Sequence, residues 1–249
     1  MISQSREINA QSCDGFRPHR NHTAVIAPLG RPTPVATVDK RIWYNTRGMS
    51  NYTVIVANGD FPRPGGEARR LLERARRVVA CDGAALAYRR RFRRWPDYTV
   101  GDFDSCRAAP PNAVRVESQD DNDLAKAIAF CRRRGWGDLV VVGATGRRED
   151  HTIGNVFRAL EAQVKVVTDF GVFHPVHGRA RLRAWKGAGV SVFVADPKAR
   201  MESKGLVWPL DGVKFAKPYC ATLNRAAAAT IEVKSSTPAF VYIESRRED

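Results

Sequence analysis

Tyr52-Thr53-Val54-Ile55-Val56-Ala57 runs without a charged or helix-favouring break into Asn58-Gly59-Asp60. A β-branched run with no apolar–polar alternation describes a strand covered on both faces, the usual environment of a parallel sheet. The polar triplet after it reads as a loop at the strand's carboxyl end. The same theme then repeats along the chain. Glu67–Arg77 spaces Ala68, Leu71, Leu72 and Ala75 near helical period, and Val78–Cys81 is a strand ending at Asp82-Gly83. Ala84–Arg91 reads as a helix, and Tyr98–Val100 as a strand entering Gly101-Asp102-Phe103-Asp104-Ser105. Asp123–Arg134 is a helix stopped by Gly135, Leu139–Val142 a strand, Asp150–Gln163 a helix and Val164–Thr168 a strand. Strands alternating with helices predict an α/β fold with a doubly wound, mostly parallel sheet over residues 50–170.

Beyond this region the pattern changes in both directions. After Gly171 come short β segments at Arg181–Trp185, Val190–Val194, Leu206–Trp208, Thr230–Val233 and Phe240–Ile243, divided by Gly, Pro and Asp. Residues 171–249 are therefore expected to form a smaller all-β sandwich domain. Residues 1–49 contain Pro28, Pro32 and Pro34 and no sustained period, and are read as a disordered extension.

The 249 residues carry 41 Lys+Arg against 26 Asp+Glu, a formal charge of +15, with 43% hydrophobic residues. That hydrophobic content supports a buried core. No apolar run reaches the ~18 residues of a membrane span, and the first 30 residues lack the apolar core of a secretory signal. Five widely spaced cysteines without a CxxC pair fit a reducing, cytoplasmic setting rather than a disulfide framework or zinc ribbon. The positive charge raises the alternative of a basic nucleic-acid-binding protein. Two features argue against it: bases are spread over the whole chain, and no basic motif interleaved with aromatics is present. The Arg89–Arg94 and Arg132–Arg134 clusters read as solvated helix ends, where cations complement the dipole.

Acids behave differently. Residues 102–123 hold Asp102, Asp104, Glu117, Asp120, Asp121 and Asp123 against only Arg107 and Arg115. Two carboxylates ~4 Å apart repel by roughly 4 kcal/mol at an effective dielectric near 20, so such a cluster is either solvated or holds a cation. An oxygen-only donor set without a Cys/His group suits Mg²⁺. Asp120–Asp123 alone would also serve as an acidic helix start. Gly143-Ala144-Thr145-Gly146-Arg147-Arg148-Glu149-Asp150-His151 lies between strand and helix and suits phosphate through its glycines and arginines, although no Gly-Lys-Ser/Thr follows as in a Walker A loop. Asp150 could equally cap the helix, and His151 reads as a packing or hydrogen-bonding residue.

The ordered set Asn58-Gly59-Asp60-Phe61-Pro62, Cys81-Asp82-Gly83, Gly101-Asp102-Phe103-Asp104-Ser105, Gln119-Asp120-Asp121-Asn122-Asp123-Leu124-Ala125-Lys126, Arg147-Arg148-Glu149-Asp150-His151 with Asn155, and Gly205-Leu206-Val207-Trp208-Pro209-Leu210 resembles the thiamine pyrophosphokinase family. The resemblance implies an α/β catalytic domain, a thiamine-binding and dimerisation sandwich, and a homodimer with shared active sites. It implies ATP as co-substrate and Mg²⁺ as cofactor, with Asp104 and Asp123 as metal ligands and Asp102 supporting them. Asp102, Asp104, Asp123 and Lys126 carry the catalytic role. Asn58, Gly59, Asp82, Gly83, Ser105, Gln119, Arg148, Asp150, Trp208 and Asn224 bind ATP or substrate, and Trp208 is either a face for thiamine or a core residue. Asn122 stands where the family usually has Thr, and Leu223 where Ser precedes the Asn. The expected reaction transfers the diphosphate of MgATP to the thiamine hydroxyl. Transfer to another alcohol stays open as an alternative.

Overall fold

The computed structural model describes residues 51–103, 110–116 and 121–246. Six parallel strands form the first part of the sheet: β1 (Thr53–Val56), β2 (Arg77–Cys81), β3 (Tyr98–Gly101), β4 (Ala113–Arg115), β5 (Leu139–Val142) and β6 (Lys165–Val167). Their spatial order is β4-β3-β2-β1-β5-β6. β1 lies in the middle, paired with β2 through Val54↔Val78 and with β5 through Val54↔Val140. All four β1 residues are buried, as the unbroken apolar run requires.

Helices cover both faces. α1 (Glu67–Arg74) and α2 (Ala84–Phe92) bury Ala68, Leu72, Ala84, Ala85 and Tyr88 against Val54, Val56 and Ala80. α3 (Asp123–Arg133) and α4 (Glu149–Glu161) bury Leu124, Ile128 and Leu160 against Ile55, Val79 and Val141 on the opposite face. Alternate residues of β1 thus feed two different cores.

The sheet continues antiparallel into a β-rich region. β7 (Gly171–Arg183) pairs with β6, and β11 (Thr230–Glu244) pairs with β7 along both of its halves, with a register shift between Ser235 and Ala239. The later half of β11 also pairs with β8 (Gly189–Val194), and the earlier half with β9 (Met201–Lys204). β10 (Ala221–Arg225) extends the edge beyond β8. One core draws Val190, Val192, Val241 and Ile243 from the first arm and Leu182, Met201, Ile231 and Val233 from the second. The two layers therefore arise by bending one hydrogen-bonded sheet.

Several expectations are corrected here. Thr230–Val233 and Phe240–Ile243 are two halves of one strand. Leu206–Trp208 is a loop held by an isolated Leu206↔Ala226 bridge, and the neighbouring strand is Met201–Lys204. β4, β10 and the first half of β7 were not anticipated, because Pro175 and Gly178 interrupt β7 and the other two are short and mixed in polarity. None of the helices in the described residues is long and apolar enough to cross a membrane.

Candidate functional site

Strand order reverses between β1 and β5, and in open α/β sheets ligands bind at the carboxyl ends beside such a reversal. The loops after β1 and β5 interlock there. Gly59 N–H donates to Gly143 O at 2.8 Å, and Asp60 N–H to Thr145 O at 2.8 Å. A Cβ on Gly59 would lie 2.3 Å from Thr145 O, and one on Gly143 (φ +66°) would lie 2.8 Å from Ala57 O. The glycines are thus needed for the two backbones to meet. Arg147 Nη1 donates to Asn58 Oδ1 at 2.9 Å, closing the same junction from outside. Asn58 also lies against Gly83, where a Cβ would come within 2.6 Å of its Nδ2.

The carboxyl ends of β2 and β3 carry the acids. Asp82 is buried, and Gly101 packs so closely beneath it that an added Cβ would meet Asp82 Cβ at 2.8 Å. Asp102 follows β3, and Asp123 opens α3, whose preceding residue Asn122 caps it by accepting from Ala125 N–H at 3.0 Å. One turn into α3, Lys126 is only 6% exposed, and its Nζ stands 3.4 Å from both Asp102 Oδ2 and Asp123 Oδ1. Burial opposes the Lys126 charge, but Asp123 and Asp102 outweigh it and hold its pKa above the ordinary value. Burial raises the Asp123 pKa; Lys126 counters this while Asp102 and Asp82 reinforce it. Lys126 is thus shared by two carboxylates, Asp102 from the end of β3 and Asp123 from the start of α3, with buried Asp82 adding its negative charge at Asp123.

A polar chain joins this cluster to α4. Asn122 Nδ2 donates to Asn155 Oδ1 at 3.0 Å, and Asn155 Nδ2 donates to Ala144 O at 3.1 Å. The amide at position 122 thus caps α3 and ties it to the β5 loop. Asp121 is spent on Arg158 at 2.8 Å, which makes it a structural acid. At the exposed head of α4, Arg148 Nη2 meets Asp150 Oδ2 at 2.6 Å, and Asp150 Oδ1 accepts from His151 N–H. Their hydrogen bond lowers the Asp150 pKa and raises that of Arg148. Arg148, not Asp150, occupies the N-cap position, and His151 is exposed rather than packed.

In the β-rich region Trp208 is 57% exposed, so it is no core residue. Buried Asn224 fixes its backbone on both sides, accepting from Trp208 N–H at 3.2 Å and donating to Trp208 O at 2.7 Å.

The glycine-interlocked junction, the acid–lysine cluster and the matched sequence converge. Residues 68–168 match the family model described as thiamin pyrophosphokinase, catalytic domain, and residues 171–242 match thiamin pyrophosphokinase, substrate-binding domain. The chain belongs to the thiamin pyrophosphokinase family. It is similar to thiamin pyrophosphokinase 1 of Caenorhabditis elegans, 30% identical over 125 residues, covering 44% of this chain and 51% of that protein. Thiamine pyrophosphokinase 1 of Oryza sativa subsp. japonica is 26% identical over 237 residues, covering 78% of this chain and 88% of the relative. The fold is shared with a solved protein from Lactobacillus plantarum, with a TM-score of 0.62, 22% identity, and 79% of this chain and 100% of that one covered.

Of the thiamin pyrophosphokinase residues inferred from sequence, Asp82, Asp102, Asp123 and Lys126 come together at the strand ends, with Asn58, Gly59 and Gly83 beside them. Arg148 and Asp150 form their own pair on α4, and Trp208 and Asn224 a second group in the β-rich region. Asp104, Ser105 and Gln119 lie outside the described residues. Sequence reasoning placed Arg147 in the phosphate-suited loop but missed its hold on Asn58, which is formed between two loops. It also missed the Asn122–Asn155–Ala144 chain, for which separate helix-cap and loop signals gave no hint of contact.

Proposed function

We propose that the chain transfers the diphosphate of ATP to the primary hydroxyl of thiamine, giving thiamine diphosphate and AMP. The Lys126 ammonium, held between Asp102 and Asp123 at the carboxyl ends of the parallel strands, carries this reading, because it sets a buried cation and an excess of oxygen donors where a family of diphosphate-transferring enzymes needs them. The hydroxyl oxygen bonds to the β-phosphorus as the bond from that phosphorus to the α,β-bridging oxygen breaks; AMP departs with the bridging oxygen, and the hydroxyl proton is released to solvent. Asp102 and Asp123, with Asp104, would hold Mg²⁺, which supplies charge neutralisation on the phosphate oxygens. Among the described residues alone there is no ready trio of metal ligands, so the proposed set depends on Asp104. Lys126 is placed to reach a phosphate oxygen once a cation takes over its carboxylates. Arg148 offers a forked donor, and Asp150 keeps that fork oriented.

Trp208 presents an exposed face suited to the cationic thiazolium of thiamine. Val207 and Leu223, both exposed beside it in the chain segments that Asn224 joins, support a homodimer in which this surface meets the partner's site. The buried free thiols Cys81 and Cys131 and exposed free Cys220 suit a cytoplasmic setting. Incubation with thiamine, ATP and Mg²⁺ tests the reading by product analysis. Thiamine diphosphate and AMP in equal amounts are expected; ADP with thiamine monophosphate would overturn the diphosphate transfer.

A further inference from the structure

The amino end of the parallel sheet, opposite the carboxylate cluster, gathers arginines that are scattered in sequence. Each helix of a parallel α/β unit runs back against its strand, so helix C-termini return to that end. The last turns there carry Arg74 on α1, Arg89–Arg91 on α2 and Arg132–Arg133 on α3. Arg77 starts β2 at the same end, and Arg93 and Arg134 cap α2 and α3. Arg93 adopts φ +57° at a left-handed cap, a position that usually favours glycine.

Folding also supplies the aromatic interleaving that the linear sequence lacks. Arg77 and Arg134 both stack on Trp136, at 4.7 and 5.7 Å, and Arg134 lies 4.8 Å from the Tyr98 ring and 4.7 Å from Phe130. Arg89 covers Trp95 at 4.6 Å. Among the described residues none of Arg77, Arg89–Arg91, Arg93 or Arg132–Arg134 forms an ion pair with a carboxylate. Guanidiniums seated on rings are ordered in advance and keep outward N–H donors for phosphate. At the amino ends of β2, β3 and β4 a cleft of about 310 Å³ is lined by Arg77, Asp97, Tyr98 and Asn112. It combines stacking planes with amide and carboxylate groups, and one Asp97 oxygen is already fixed by Val78 N–H at 2.7 Å.

We propose that this face binds single-stranded nucleic acid, its arginines taking the phosphates and the Tyr98–Arg77 cleft receiving an unstacked base. Phosphate contacts supply affinity, and a cleft beside an aromatic ring favours a strand whose bases are free to turn outward. An acidic membrane fits less well, because none of the exposed large apolar side chains among the described residues belongs to this end. The proposal is independent of the diphosphate-transfer reading.

Fluorescence anisotropy with labelled single-stranded RNA and DNA, duplex DNA, and an abasic strand of equal charge tests it. Binding to single strands is expected to fall steeply with salt, to exceed duplex binding, and to be at least threefold tighter than to the abasic strand. The exposed triple variant Arg90→Glu, Arg93→Glu, Arg133→Glu should lose at least tenfold in affinity while keeping the wild-type circular dichroism melt. RNA and DNA arms decide which sugar is preferred, and either preference supports the proposal. Equal affinity for abasic and base-bearing strands, tighter association with phosphatidylserine vesicles than with any oligonucleotide, or a well-folded triple variant binding like wild type would each overturn it.

Discussion

Asn224 holds Trp208 by its backbone alone, with Oδ1 3.2 Å from the Trp208 nitrogen and Nδ2 2.7 Å from the Trp208 oxygen, leaving the indole outside. The same Oδ1 also accepts from Arg225 N–H at 2.8 Å. Asn224→Ala removes all three bonds at a buried position and is expected to cost about 1–3 kcal/mol of stability. It should raise the KM for thiamine about tenfold, equivalent to ~1.4 kcal/mol, with the KM for ATP unchanged. Trp208→Ala should give the same kinetic split without the stability loss, since its ring is exposed. Steady-state kinetics in each substrate, beside thermal melts, check both outcomes.

Lys126 bonds both Asp102 and Asp123, so Lys126→Met removes the cation that counters burial at Asp123. The Asp123 pKa, already held above its ordinary value by burial, then rises further. A raised carboxylate pKa stabilises the fold below the unfolded value and loses that contribution as pH rises, so the variant's deficit should grow from about pH 4 upward. Turnover is expected to drop at least 100-fold, as for loss of a positioned charge in the transition state. Asp123→Asn should keep the melt near wild type but lose comparable turnover, as well as the Mg²⁺-dependent gain in melting temperature with ATP. Calorimetric melts at pH 5 and 8, with and without MgATP, separate the two variants.

The α/β order was legible because each buried strand is an unbroken β-branched run and each helix has its own apolar stripe and stop. The β-rich region was only half legible. Val190, Val192 and Val194 alternate cleanly in β8, whereas β7 contains Pro175 and Gly178, and β11 spans a register shift that looks like a turn. The site was legible in its residue types, since Asp102, Asp123 and Lys126 lie at a strand end and one helical turn. Its long-range ties were not, because Arg147 to Asn58 and Asn122 to Asn155 join residues 89 and 33 positions apart. Charge shows the same limit: arginines dispersed in sequence converge because topology brings helix ends to one edge.

His174 on β7 titrates against the fold. Burial, helped by the Lys165 ammonium, pushes its pKa from the usual 6.5 down to about 3. Above pH 6.5 it is neutral folded and unfolded and contributes nothing. Between 6.5 and about 3 only the unfolded chain takes up its proton, so stability falls with acid by up to ~1.4 kcal/mol per pH unit. His174→Gln should flatten this part of the profile. Urea denaturation from pH 7.5 to 4.5 should show the two proteins diverging only below about pH 6.5.

Gly59 sets the spacing of the β1 and β5 loops. Its Cβ position falls 2.3 Å from Thr145 O and 2.5 Å from Gly143 O, both rigid backbone atoms. Gly59→Ala must therefore separate the loops, breaking the 2.8 Å Gly59–Gly143 and Asp60–Thr145 hydrogen bonds. A loss of about 2–4 kcal/mol is expected from overpacking and two unmade backbone bonds together. Gly137, where an added Cβ meets nothing within 4 Å, is the control: Gly137→Ala should stay within about 0.5 kcal/mol of wild type. If the junction also orients Asn58 and the β5 loop toward nucleotide, Gly59→Ala should weaken ATP binding even at temperatures where it remains folded. Isothermal titration at 10 °C measures that effect separately from the melt.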